Sequence, residues 1–464
     1  MMSSLRRPGK GQEMNDRKRL VELDKLHVWH PFTQMREWLS KEPLIIEKGR
    51  GNYLIDMDGR RYLDGVSSLW VTVHGHRKKE IDRAIKDQID RIAHSTLLGL
   101  ANVPSIQLAE KLAEIAPKGL NKVFYSDNGS TAVEIALKIS FQYWEQTRKD
   151  NEKRKFVAFT GAYHGDTFGA MSVGEIDIFV RKYRPLLFEV FRSPYPYCYR
   201  CPLKKTHPKC KLACLETFEM LLREHNEEIA GCIIEPLLQG AAGMITSPPG
   251  FLKNVRRLTG KYGVHLIADE VATGFGRTGK MFACDIEGVN PDIICLGKGI
   301  TGGYMPLAAT LTTDKIYNAF LGDHGEHRTF FHGHTFTGNP LGCAAAIANL
   351  DVFKKERVIE KLEGKIKLFK NLLKSLETLS RVGEIRHIGL VAGIELVKDR
   401  GTKETHPAAE RVGDAVCMEA RRRGLIVRPL GDTIVIMPPL TIKDAELKRI
   451  VNIVRESIVK VTGT

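Results

Sequence analysis

From about Lys78 to roughly Asn339, short apolar runs alternate with helical patterns. The runs are K-V-F-Y-S, F-V-A-F-T, G-C-I-I-E, V-H-L-I-A, D-I-I-C-L and P-L-A-A-T-L-T. They are rich in β-branched and aromatic residues and too short for helices, which predicts buried strands. Between them lie amphipathic segments such as T-A-V-E-I-A-L-K-I-S-F-Q-Y-W. Strand–helix alternation of this kind predicts βαβ units, hence an α/β fold with a mostly parallel sheet. Upstream, P-L-I-I-E-K-G-R-G-N-Y-L-I-D-M-D-G-R-R-Y-L-D-G predicts hairpin strands turning at Asp58-Gly59. Downstream of Ala344 come long amphipathic helices and two strand runs, near G-L-V-A-G-I-E-L and G-L-I-V-R-P. The expected division is a loose, polar, basic tail over residues 1–20 and a large domain over 78–343. A discontinuous smaller α+β domain is expected from residues 21–77 and 344–464.

Two of these runs end in chemistry. V-H-L-I-A leads into Asp269 and Glu270, and D-I-I-C-L-G leads into Lys298, flanked by Gly297 and Gly299. Neighbouring parallel strands would put both charges at the carboxyl end of the sheet, where ligands of open α/β folds bind. A lone strand-end Asp or loop Lys is ordinarily solvated surface. Together, one acid and one amine at that position suit pyridoxal phosphate. The amine forms a Schiff base, and the acid keeps the pyridine nitrogen protonated.

The flanks narrow the reading. E-V-A-T-G-F-G-R-T-G-K follows Asp269, and G-I-T-G-G-Y-M-P-L-A-A-T follows Lys298. With these motifs the sequence resembles the class III aminotransferases from about His27 to its end. Within that family it looks most like the 7,8-diaminononanoate aminotransferases of biotin synthesis. The resemblance implies the type I pyridoxal-phosphate fold, with a mostly parallel seven-stranded sheet in the large domain, and a homodimer whose active site lies at the interface.

It also implies site residues, motif by motif. In Y-S-D-N-G-S-T-A-V-E, Gly129 and Ser130 match the family's phosphate cradle, and Thr131 and Glu134 have the spacing of a capping box that would start the helix. Tyr163 of Y-H-G-D matches the tyrosine stacked on the pyridine ring, with Asp166 as polar support. H-G-H-T-F-T-G-N-P resembles the family's H-G-P-T-x-x-G-N-P. Gly333, His334 and Thr335 fall there, Thr335 at the threonine that binds the phosphate of the other subunit's cofactor. His334 stands where proline is usual and is expected to contribute through its backbone. Arg428 in V-R-P matches the arginine that grips the keto substrate's carboxylate, a task suited to a guanidinium fork. Arg277 is expected to support the pocket or close a salt bridge.

Two departures bear on the amino donor. Family members that use S-adenosylmethionine usually read H-P-Y-T and S-S-W-W; here they read H-P-F-T and S-S-L-W. Phe32 thus lacks a hydroxyl and Leu69 lacks a stacking surface, while Trp70 remains, which favours lysine as donor over S-adenosylmethionine. Ala272 stands where ω-aminotransferases acting on β-alanine, γ-aminobutyrate or polyamines usually carry Gln, which favours the biotin branch. A non-catalytic member of the fold is the alternative that intact Lys298, Asp269 and Tyr163 oppose.

Composition adds exclusions. Hydrophobic residues at 43% and charged residues at 27% fit a globular chain. No run has the length of a membrane span and no secretory signal pattern precedes the first domain, so the expected location is the cytoplasm. The net charge of +15 comes from Lys and Arg interspersed with Glu and Asp, as in K-L-E-G-K-I-K, a solvated basic surface rather than a nucleic-acid face. Cys198, Cys201, Cys210 and Cys214 have x2, x8 and x3 spacings compatible with zinc, and equally with a loop of free thiols. The fold needs no metal there, and none is assigned.

Overall fold

Seven strands form one sheet in the computed structural model, which describes residues 10–148 and 152–463, with backbone alone for residues 10–15. We number them β1 (Leu120–Ser126), β2 (Lys155–Phe159), β3 (Val190–Ser193), β4 (Ile229–Ile234), β5 (His265–Asp269), β6 (Ile293–Leu296) and β7 (Ala308–Thr313). Their order is β1-β7-β6-β5-β4-β2-β3. Only β7 runs against its neighbours, so the sheet is mostly parallel. β4, β5 and β6 are buried along their whole length, as continuous apolar runs covered on both faces require. The expected neighbours pair in register, Asp269 opposite Cys295. Glu235, Asp269 and Lys298 therefore all follow or end adjacent strands at one edge of the sheet.

The six runs read from the sequence all appear; β3 was not anticipated. It is an edge strand of four residues, V-F-R-S, with a charged residue inside it. Arg192 turns its guanidinium to the carbonyls of Val173 and Gly174, at 2.8 and 2.9 Å.

The N-terminal meander, Ile46–Arg50, Tyr53–Asp56 and Arg61–Asp64, turns at Gly59, whose φ of 78° suits glycine. Its last strand pairs in parallel with Leu425–Ile426, so the two ends of the chain share a sheet. A second sheet, from Val382–Ile388, Val391–Leu396, Arg428–Leu430 and Thr433–Ile436, completes the C-terminal part.

Two expectations need correction. The loose tail is helical from Lys10 to His27, and residues 1–9 of that expectation lie outside the described residues. Polar ties rather than an apolar stripe hold this helix. Asp24 receives Trp38 Nε1 at 2.8 Å and lies 2.8 Å from His30 Nε2, while Arg17 pairs with Glu42. The boundary expected at 343/344 falls inside the helix Pro340–Glu356, which packs on the helices Lys79–Ile89 and Val103–Ile115. Among the described residues no helix is long and apolar enough to cross a membrane.

One strained turn joins the two halves of the chain. Ser67, Ser68, Leu69 and Trp70 all have left-handed backbones, with φ of 50°, 47°, 72° and 71°. Each non-glycine residue so held costs about 1–2 kcal/mol. Asp64 opposes that cost: its carboxylate accepts the Ser68 N–H at 3.0 Å and hydroxyl at 2.8 Å and lies 3.0 Å from His76 Nε2. The Ser67 hydroxyl donates to the Met437 carbonyl at 2.7 Å. Arg277, fully buried, donates to the carbonyls of Pro438 (2.8 Å), Thr72 (3.0 Å) and Trp70 (3.3 Å). It thus supports the pocket through carbonyls, and no carboxylate pairs with it among the described residues. Burial lowers its pKa to about 10, opposed by Asp64. A single ammonium cannot reach both sets of carbonyls. Arg277→Lys should therefore lower the urea midpoint by the equivalent of about 2–3 kcal/mol. An unchanged midpoint would show that the carbonyl cradle does not hold the turn.

Candidate active site

At the carboxyl end of the sheet lies a cavity of about 720 Å³, lined among others by Trp70, Gly129, Ser130, Tyr163, Asp269 and Lys298. Six of the sequence-derived site residues therefore meet in one place. Lys298 opens a short 3-10 turn directly after β6, with a left-handed φ of 43°. Its Nζ lies 4.8 Å from the centre of the Trp70 ring. Burial lowers its pKa, opposed by Asp269 and Glu235 and reinforced by Arg277. The flanking glycines serve protein packing rather than the open cavity. A Cβ at Gly299 would stand 3.0 Å from Phe275, and one at Gly297 would stand 3.4 Å from Gly129 Cα.

Asp269 is fixed from two sides. Its Oδ1 accepts the Val271 N–H at 3.1 Å, and its Oδ2 lies 2.7 Å from His164 Nδ1, with both side chains buried. Nothing in the local spacing of Y-H-G-D marks His164; its position only emerges when the loop after β2 folds over the end of β5. Glu235 was missed as well, although it closes the run G-C-I-I-E just as Asp269 closes its own. It accepts the backbone N–H groups of Tyr163 at 3.1 Å and Gly240 at 2.9 Å. Burial raises its pKa to about 7. Tyr163 donates its hydroxyl to Asp166 at 2.9 Å, as expected of the polar support there.

A helix starts at Gly129, where the expected cradle lies, but its capping differs from the expectation. The helix Gly129–Thr147 begins after Asn128, whose side chain accepts the Thr131 N–H at 3.1 Å while Thr131 Oγ1 accepts the Asn128 N–H at 3.2 Å. The capping box is therefore Asn128 with Thr131, because the amide side chain lies nearer the first free N–H groups. Glu134 instead reaches out to accept the amides of Gly169 and Ala170, at 2.7 and 3.1 Å. The amides of Gly129 and Ser130 have no preceding turn to bond, so they and the helix dipole suit an anion. At Gly129 no Cβ fits, for it would stand 2.6 Å from Val271. A flat ring with a phosphate at one end, an acid at the ring nitrogen and an amine at its aldehyde finds each group it needs here, so these residues fit pyridoxal phosphate.

The other sequence-derived residues are not part of this cavity's lining. Phe32 is exposed and packs edge-on against Phe179, which in turn meets Tyr163 edge-on. Leu69 stands half-exposed on the left-handed turn. Arg428 is exposed at the start of Arg428–Leu430. Gly333 and Thr335 are exposed on a loop, and no atom would lie within 4 Å of a Cβ at Gly333. His334 is engaged by side chain as well as backbone, with Nδ1 2.6 Å from Asp127 Oδ2. The four cysteines at 198, 201, 210 and 214 are free thiols that line one small cavity. Among the described residues, no three His, Cys, Asp or Glu side chains stand where they could hold a metal ion.

The class III aminotransferase family pattern matches residues 35–458. An adenosylmethionine-8-amino-7-oxononanoate aminotransferase of Geobacter sulfurreducens is 56% identical, over 97% of this chain and 99% of its own. The enzyme of that name from Aquifex aeolicus is 51% identical, over 96% and 98%. The crystal structure of its counterpart from Methanocaldococcus jannaschii superposes with a TM-score of 0.92 at 48% identity, covering 96% of this chain and 99% of that one. An (S)-enantioselective omega-transaminase from Thermomicrobium roseum superposes with a TM-score of 0.91 at 36% identity, covering 96% and 98%.

Glu235 makes the site's electrostatics measurable without substrate. Burial holds its carboxyl pKa at about 7 in the fold, against the ordinary 4.5 of a free glutamate, so the folded state holds an extra proton between those values. Its contribution is fully present below about pH 4.5 and is lost as pH rises through about 7, up to roughly 3 kcal/mol. Glu235→Gln removes that slope, at a pH-independent cost of one acceptor. Urea midpoints of the apoprotein at pH 5 and pH 8 should show the variant gaining on wild type at the higher pH. An equal difference at both would mean that the carboxyl titrates normally.

Proposed function

The chain belongs to the class III aminotransferases, pyridoxal-phosphate enzymes, and from that premise we propose that it converts 8-amino-7-oxononanoate to 7,8-diaminononanoate in biotin biosynthesis. What carries the reading is near-full-length identity of 49–56% to several aminotransferases named for that keto substrate, against 36% to the omega-transaminase. Ala272, at the position where other ω-aminotransferases carry Gln, supports the same branch.

When bound, the cofactor supplies an aldehyde that carries the amino group and a ring that takes up electrons from the reacting carbon. Lys298 would hold it through Nζ, and the amides of Gly129 and Ser130 would receive its phosphate. Asp269, oriented by His164 and the Val271 N–H, would keep a positive charge on the ring nitrogen. Tyr163 would lie against the ring. The Nζ of Lys298 would take a proton from the donor carbon, and burial suits it to this because its neutral form is favoured. Arg428, which no carboxylate occupies among the described residues, would hold the keto substrate's carboxylate.

The working unit in this reading is a cytoplasmic homodimer. Trp29, Leu98 and Phe331 are 86%, 90% and 78% exposed, apolar side chains that a second copy could cover. Thr335 would then reach the phosphate in the other subunit. For the donor, the relatives' names point to S-adenosylmethionine, whereas Phe32 and Leu69 favour lysine.

Lys298→Ala should lower turnover of 8-amino-7-oxononanoate by about 10³-fold or more, since one amine is both anchor and proton carrier. Rates like wild type would remove the assignment. The donor is decided by mixing the yellow enzyme with lysine or S-adenosylmethionine alone and following the visible absorbance. Bleaching by lysine only supports the reading from Phe32 and Leu69; bleaching by S-adenosylmethionine only overturns it.

A further inference from the structure

The side chain of His334, at a position where the family usually has proline, is bonded at the phosphate end of the cavity. Its partner Asp127 lines the cavity and directly precedes Asn128, the residue that caps the cradle helix. The contact, His334 Nδ1 to Asp127 Oδ2, is 2.6 Å. The backbone of His334 is committed too. Its N–H donates to Thr337 Oγ1 at 2.9 Å, and the Thr337 N–H returns to the His334 carbonyl at 3.1 Å. Proline could make neither the imidazole contact nor the N–H bond. Thr335 projects from this closed turn and is exposed.

A second attachment runs to the same helix. His332 lies 5.2 Å from His334 ring to ring, stacks on Phe330, and receives Lys138 Nζ within 3.0 Å of its Nδ1. Lys138 belongs to Gly129–Thr147, the helix whose first amides form the cradle. The loop is therefore tied both to the residue leading into that helix's cap and to the helix's middle. A lone, partly exposed polar contact contributes little. The His334 and Asp127 side chains retain 26% and 38% exposure, so the pair alone would be ornament. The closed turn and the His332–Lys138 contact make the loop and the cradle one body.

We propose that His334 is a positioning residue for the cofactor's phosphate: through Asp127 and Thr337 it fixes the Thr335 loop relative to Gly129 and Ser130. The proposal rests on the pyridoxal-phosphate reading above and concerns phosphate recognition alone. Each subunit's cradle would then set the position of the threonine it lends to its neighbour.

The test is equilibrium binding to apoprotein, with pyridoxal 5′-phosphate and, separately, pyridoxal without phosphate. H334A and D127A should each weaken the phosphate ester by about tenfold and leave pyridoxal unchanged, and the double variant should be no weaker than either single one. H334P should be at least as weak as H334A, since it also loses the N–H bond. Should H334P not fold, H334A and D127A carry the test, with their thermal midpoints compared to wild type. Affinities for the ester within twofold of wild type would overturn the proposal, as would equal losses for ester and pyridoxal or additive losses in the double variant. Failure of wild type to bind either compound would instead overturn the cofactor reading.

Discussion

An amine buried at the end of a sheet is tolerated only if charge or chemistry compensates for its lost hydration. Lys298 sits under that constraint. Its neutral form is favoured by burial and by Arg277, its charged form by Asp269 and Glu235. Parallel strands β4, β5 and β6 bring Glu235, Asp269 and Lys298 together because each strand ends in, or within two residues of, one of them. The His164 contact and the Val271 N–H prevent Asp269 from swinging away, so the acid is held in one orientation beside the cavity. Preorganised charge of this kind favours a developing charge separation without reorientation of the protein.

The same constraint explains the strained turn. Trp70 faces Lys298 only because four successive residues adopt left-handed backbones. Such a conformation persists when its surroundings over-determine it. Asp64 from the N-terminal meander, Met437 and Pro438 from the C-terminal part, and Arg277 from the segment after β5 all converge on it. One wall of the cavity is thus assembled from three distant stretches of chain.

Much of this was legible in the sequence where a signal was local. The apolar runs gave β4, β5 and β6, and the acid and the lysine at their ends marked the site. Asp58-Gly59 marked the hairpin. Signals failed where partners are distant or polar. The V-F-R-S strand has no apolar run because its arginine serves carbonyls of a neighbouring segment. The N-terminal helix has no stripe because ion pairs and the Asp24 contacts hold it. Thr131 and Glu134 had capping-box spacing, but Asn128 lay closer to the free amides and left Glu134 to bond another helix. His164, Glu235 and the side-chain role of His334 depend on loops folding over the sheet edge, which spacing along the chain does not reveal.

One particular buried lysine, Lys298, is expected to carry the cofactor. Borohydride reduction of the purified yellow protein, followed by proteolysis and mass analysis, tests it directly. A phosphopyridoxyl group is expected on the peptide containing Lys298, together with loss of the visible band. The label on a different lysine, or no label at all, would contradict it.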